Sequence, residues 1–430
     1  MKPTNTPQDT VRTINLSADE HRMLAEEAER VVNETLVASD LFIANQRQLP
    51  RNEWKHVKTR EKIHVYRSRR TNFVGENRTE SSGGENSQDS SDTSLNSRVY
   101  APYSTAEMLL TGQPRRNDSS SNGSVSSSSG NASSDQSLLE LIKPADAPLM
   151  IATGIVAGEV EDSVFGALSH TERLWRLRDA HLQDPYVAIK TLASITVPTM
   201  QDPFSSLTLK WSMKEFGHLS RKRDCVYLEG TGATHDSNGE RVGYYTMHSI
   251  DSIERIPGLG HLNIVRAHIS TCFIVRPYNQ SSIEIFARGF VNFGGSFRHA
   301  EGYSIYAEML LGAVHVVDLS YMKKLIWLMH EKRFSGDGAA APPSSSDTRN
   351  CGNCTAGLSK FGSLLHPKTV CEACRKVVCH KCSVVKKIPM TVSSTEATQK
   401  ALSFCVLCVL EAKNAPVRHV AVALMQSPHS

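Results

Sequence analysis

Eight of the ten cysteines in this 430-residue chain lie between Cys351 and Cys408, as four Cys-x2-Cys pairs separated by 16, 4 and 22 residues. A thiolate is a soft donor, and a two-residue spacer lets both sulfurs of a pair turn toward one ion. Eight such ligands make two four-sulfur sets, the coordination that zinc takes in structural sites. An iron–sulfur cluster suits the pattern less well, because ferredoxin runs do not repeat regular pairs at these separations. In a reducing compartment disulfides are disfavoured, which leaves ligation as the economical use of the thiols. The expected cofactor is two Zn2+, with neither His366 nor His380 needed to complete a site. Spacing alone leaves sequential and interleaved pairing of the knuckles both open.

Other chemistry is weakly represented. The chain contains no Gly-x-Ser-x-Gly elbow and no His-Glu-x-x-His motif, so a non-enzymatic protein is expected. Its 48 Lys and Arg against 44 Asp and Glu, formal charge +4, lack the basic excess that points to nucleic acid. The polar first residues and the lack of an apolar run of about 18 residues predict a soluble, cytoplasmic protein.

A cysteine-rich segment of this size builds little apolar core of its own, so metal should contribute much of its folding energy. The larger core must come from the residues before it. Ser17 with Glu20 has the form of a capping box, and Leu24, Ala28, Val31 and Leu36 form an apolar stripe, predicting a helix from Ser17 to Ala38. The section Trp54 to Arg67 reads as a strand, with alternation over Lys62–Tyr66. Asn72 to Gln136 is mostly small and polar, with eleven serines among the nineteen residues Ser119–Ser137; it is predicted to be a disordered insertion. Order resumes with a strand at Leu149–Ala157 and a helix at Val160–Leu177. Strands are then predicted at Ser206–Met213, Asp224–Glu229, Arg241–Ile250, Leu262–Arg276 and Ser281–Phe290, and a long helix at Tyr303–His330. This order implies an α+β domain rather than a parallel nucleotide-binding sheet. Cys225 and Cys272 fall on strands and read as small buried apolar residues.

The sections Trp54-Lys55-His56-Val57 and Ile63-His64-Val65-Tyr66-Arg67, with the strand series and terminal helix, resemble the START-type helix-grip lipid-transfer fold, in the diverged version found beside a zinc finger in oomycete proteins. The resemblance implies a sheet gripping the last helix around an apolar cavity for a sterol, phospholipid or other hydrophobic ligand. Phe273, Val275, Ile285 and Phe290 on strands and Met309, Leu310, Ala313 and Val317 on the helix would line it, with Arg276, Glu284 and Arg288 as candidate polar anchors. The serine-rich insertion would fall between the first and second strands.

The cysteine spacing resembles the FYVE zinc-finger family, whose cross-braced topology implies one site of Cys351, Cys354, Cys379 and Cys382 and another of Cys371, Cys374, Cys405 and Cys408. That family binds phosphatidylinositol 3-phosphate at endosomal membranes through a Trp-x-x-Asp element, a basic run and an Arg-Val-Cys element. Here the corresponding stretches are Ser346-Asp347-Thr348-Arg349-Asn350, His366-Pro367-Lys368-Thr369-Val370 and Ser403-Phe404, a degenerate version of the headgroup site. Lys360, His366, Lys368, Arg375 and Lys376 remain as an anionic-surface contact. The expected layout is a flexible start (1–15), a START-like domain (16–332), a linker (333–350), a FYVE-like finger (351–410) and a tail (411–430). The expected function is a zinc-binding lipid-binding or membrane-associated adaptor, cytoplasmic or peripheral on endosomes. The alternative is a scaffold with a closed core whose finger binds protein.

Overall fold

The computed structural model describes residues 7–69, 138–145, 147–216, 221–295, 297–312, 315–334, 349–358, 369–391 and 396–426. The predicted insertion 72–136 and the site candidates Ala313, Lys360, His366 and Lys368 lie outside them.

A short turn of helix, α1 (Pro7–Thr10), precedes the long α2 (Ala18–Ala44). The capping box is formed: the Ser17 hydroxyl accepts the Glu20 N–H at 3.2 Å and the Glu20 carboxylate accepts the Ser17 N–H at 2.8 Å. The helix outruns its predicted end because the apolar stripe continues to Phe42, whose ring meets Phe286 at 5.3 Å.

The sheet comprises β1 (Trp54–Arg60), β2 (Ile63–Ser68), β3 (Met150–Ala157), β4 (Ala188–Thr196), β5 (Ser206–Lys214), β6 (Arg223–His235), β7 (Arg241–Ser249), β8 (Val265–Arg266), β9 (His268–Asn279) and β10 (Ser282–Asn292). Its order is β1-β2-β3-β10-β9-β7-β6-β5-β4, antiparallel throughout except for the short β8 beside β6. The chain therefore crosses from β3 to the far edge at β4 and walks back until β10 pairs with β3. The crossing is made by α4 (Val160–Ala167) and α5 (Glu172–Leu182); α3 (Leu138–Ile142) precedes β3. After the sheet come α6 (His299–Gly312) and α7 (Val316–Phe334). The result is an α+β, helix-grip-like arrangement.

Other elements also differ from expectation. The section Trp54–Arg67 is a hairpin of two strands, closed with Glu61 at φ 51°, so the insertion separates β2 from β3 rather than the first strand from the second. The helix predicted over Val160–Leu177 is broken. Thr171 caps α5 by accepting the Leu174 N–H, and Lys323 of α7 gathers the carbonyls of Phe165, Gly166 and Leu168 at 2.6, 3.2 and 2.9 Å, which ends α4. Gly166 permits this approach: a β-carbon there would sit 1.7 Å from the Val316 carbonyl oxygen. The single helix predicted over Tyr303–His330 is two helices inclined by 42°, because α6 packs on β1, β2, β3 and β10 whereas α7 packs on α4 and the cysteine-rich segment. Strand β4 escaped prediction because register shifts after Thr191 and Ser194 break its period-two pattern.

Alternation sorts the sheet's side chains between two helices. Cys272, Ile274, Phe286 and Phe290 face α2; Phe273, Val275, Ile283, Ile285 and Ala287 face α6 and Val317. Among the described residues no single helix is long and apolar enough to cross a membrane.

Candidate metal centre

The cysteine-rich segment is built from turns that present sulfur. Cys371 to Cys374 sit between β11 (Thr369–Val370) and β12 (Val377–Val378), and Cys379 to Cys382 follow β12 directly. The hairpin of β13 (Ser383–Thr391) and β14 (Ala397–Cys405) then returns the chain to Cys405, the N-cap of α8 (Val406–Asn414). The first two knuckles share one turn: Thr355 N–H donates to the Cys351 carbonyl at 3.0 Å and Arg375 N–H to that of Cys371 at 2.9 Å. Thr355 and Arg375 adopt φ 59° and 61°. Backbone N–H groups also point at sulfur, from Cys379 to Cys351 Sγ at 3.3 Å and from Cys408 to Cys405 Sγ at 3.4 Å.

Two groups of four sulfurs result. The Sγ atoms of Cys351, Cys354, Cys379 and Cys382 all lie within 4.8 Å of one another, as do those of Cys371, Cys374, Cys405 and Cys408. First and third knuckles thus share one cluster, second and fourth the other, and sequential pairing is excluded by position. Cys354 and Cys379 are 3.8 Å apart at sulfur, as are Cys374 and Cys405. A tetrahedron with zinc–sulfur bonds of about 2.3 Å has edges of about 3.8 Å. The donors therefore fit a four-thiolate ion, which would take its four ligands from each set and tie the segment's start, middle and end together.

Of the predicted anionic-surface residues within the description, Arg375 donates to the Glu372 carboxylate at 3.1 Å and Lys376 is exposed. A carboxylate beside Arg375 lowers what it can offer an anion.

The residues predicted to line a lipid cavity are divided. Phe273, Val275, Ile285, Leu310 and Val317 are buried together, with Met309 half-buried at their edge. Phe290 is on the other face, against Ala38, Phe42 and Trp54, because an even-numbered position on β10 points toward α2. The candidate anchors share that face: Arg276 is held by Asp40 and Asp236, Glu284 accepts two bonds from Arg47, and Arg288 lies opposite Cys272. The space beside Phe273, Val275 and Ile285 is a cavity of about 10 Å³, room for one water at most. Met309 reaches a second cavity of about 60 Å³, near Tyr227 and Phe293. Larger clefts of about 260 and 280 Å³ lie between α2 and the sheet and beside the β9–β10 turn.

A buried ion cluster in the sheet's interior was missed. Glu229 accepts from Nη1 and Nη2 of Arg178 at 3.0 and 2.9 Å and from Lys210 Nζ at 2.7 Å; Lys210 also donates to the Ser169 carbonyl at 2.7 Å. All three side chains are buried. Burial pushes the Glu229 carboxyl up, but Arg178 and Lys210 outweigh it and hold it at about 2. Lys210 alternates with Leu209 and Trp211 and reads as solvent-facing; no sequence signal marks it as buried. Cys225 and Cys272 lie on β6 and β9, their thiols pushed up to about 12 by burial.

No family model matches this chain, and no curated protein matches it in sequence. Among solved structures it is similar to human STARD10, at 9% identity over 64% of this chain and 79% of that one, with a TM-score of 0.32. It is also similar to human StAR-related lipid transfer protein 5, at 10% identity over 70% of this chain and 97% of that one, with a TM-score of 0.36. A STAR-related lipid transfer protein fragment from Xanthomonas axonopodis overlaps at 11% identity over 62% and 96% of the respective chains, with a TM-score of 0.33.

Proposed function

We propose that this protein is a zinc-binding, non-enzymatic adaptor, composed of a START-like helix-grip domain and a FYVE-like cross-braced metal module. The observation that carries the proposal is the gathering of eight cysteines into two interleaved four-sulfur clusters, all sulfurs of a set within 4.8 Å of one another and one pair in each at the 3.8 Å edge of a zinc tetrahedron. All-thiolate sites offer no open coordination position, which suits zinc in a structural rather than a catalytic role.

Of the two forms such an adaptor can take, packing favours the closed scaffold that offers its surface to a protein partner. Small-molecule pockets run to roughly 300–1,000 Å³, whereas the cavity beside Phe273, Val275 and Ile285 holds about 10 Å³ and the larger clefts, of about 260 and 280 Å³, lie away from these residues. Lipid carriage would require α6 to part from β3 and β10, uncovering Leu310 and Leu311. Endosomal or other anionic-membrane contact would fall to the basic side chains around the second knuckle, of which Arg375 already has Glu372. The test is lipid extraction of protein purified from cells, with vesicle sedimentation alongside. The scaffold reading expects no recurrent lipid and no sedimentation with anionic vesicles. A single lipid recovered at near one per chain overturns it in favour of carriage.

A further inference from the structure

The two clusters have different surroundings. In the first, Cys354 is exposed and Cys379 and Cys382 are half-buried, whereas in the second Cys371, Cys405 and Cys408 are each at most 2% exposed. The shelter comes from α7, a helix of the sheet domain. Its Leu325, Leu328 and Met329 share a core with Cys371, Phe404, Cys405 and Cys408; of the first cluster only Cys351 is buried there, with Cys379 and Cys382 partly buried at its edge. Polar links run from the same helix to the second cluster's own segments. Lys332 Nζ lies 3.5 Å from Cys408 Sγ and 2.5 Å from the Glu411 carboxylate. Arg333 pairs with Glu372, next to Cys371, at 3.4 Å, and Lys324 donates to the Lys413 carbonyl at 3.2 Å. At its other end α7 belongs to the sheet, through Val317 in the core facing α6 and Lys323 on the end of α4. The terminal α9 (Val417–Gln426) fastens the arrangement by burying Val417 and Val420 with Phe165 and Phe204.

We propose that the two metal sites have unequal roles. The second is a structural joint that fixes α7 between sheet and metal module, with Lys332 as a positioning residue, and the first is the exchangeable site. A centre of four thiolates and one divalent ion is net negative, and an ammonium at hydrogen-bond distance from one sulfur offsets part of that charge. That ammonium comes from outside the module, so the second site's negative charge is offset by it only when α7 is docked. Emptying the second site removes the partner surface of Leu325, Leu328 and Met329; emptying the first, whose Cys354 is exposed and whose Cys379 and Cys382 are only partly buried against that core, leaves the surface covered.

The inference rests on the zinc reading above, and one experiment separates the two. The metal-loaded 430-residue chain is mixed with a chromophoric chelator, zinc release is followed in time, and amide hydrogen exchange of α7 is recorded at each stage. Two release phases of one equivalent each are expected, the first leaving α7 protection unchanged and the second abolishing it. Lys332→Met, which keeps the aliphatic stem, should speed the slow phase alone by about tenfold, and Lys332→Arg should restore it. A single phase, equal acceleration of both phases, or α7 protection that survives full zinc removal overturns the proposal. If Lys332→Met does not fold, the wild-type phases and α7 exchange still decide. Protein that holds no zinc at the outset overturns the zinc reading, and this proposal with it.

Discussion

Glu229 shows what a residue's type leaves unsaid. Its carboxylate is the counter-ion for two buried cations, Arg178 and Lys210, so removing its charge strands both in a desolvated interior. Glu229→Gln is expected to destabilise the fold by about 3–5 kcal/mol, measured by urea unfolding; a loss below about 1 kcal/mol contradicts the account. His170 offers a pH test nearby. Burial, with Lys323 and Lys210 adding to it, pushes its imidazole down to about 4. Between about 6.5 and 4 the unfolded chain takes up a proton that the folded one refuses, so His170 costs stability as pH falls through that window. Asp179, pushed up to about 7 by burial, acts in the opposite direction, so the comparison must be with His170→Asn. Relative to wild type, the variant should gain on the order of 2 kcal/mol between pH 6.5 and 4; an unchanged difference counts against the assignment. The cysteines were legible because ligand type and spacing are local. The ion cluster was not, because Lys210, Glu229 and Arg178 come from three elements and nothing local distinguishes a buried Lys210 from a solvated one.

Elements were legible where their pattern was regular. The capping box at Ser17 and Glu20 was visible because it is a fixed local spacing, and the alternation in β5 and β10 because it repeats a period the backbone imposes. Strand β4 was obscured by its bulges, and the breaks between α4 and α5 and between α6 and α7 by tertiary partners. Lys323 ends α4 from 158 residues away along the chain in its bond to Phe165, a separation no window of sequence spans. Helix α7 carries the element-scale prediction, since Leu328 is 3% exposed in a core shared with Phe404, Cys405 and Cys408. Leu328→Ala should cost about 2–5 kcal/mol and raise hydrogen exchange in both α7 and α8. A rise confined to α7 would show that the metal module stands apart from the helix.

At the scale of the whole molecule, the sheet domain and the cysteine-rich segment pack on each other through α7 and α5, while residues 335–348 of the expected linker lie outside the described residues. Residues expected to be a tail form the end of α8 and all of α9, which packs on α4 and α7, and the β13–β14 hairpin lies against α5, where Gln399 donates to the His181 carbonyl at 3.0 Å. This continuity was not legible because it depends on apolar faces far apart in sequence, each of which reads by itself as ordinary amphipathic surface. Metal is then expected to stabilise the sheet as well as the module, since zinc binding that exists only in the folded state adds to folding free energy. Native mass spectrometry of the 430-residue chain tests the central claim most directly. The account predicts two zinc ions per folded chain, falling to one or none when Cys371 and Cys405 are both replaced by serine; a folded wild-type chain with no bound metal would contradict it.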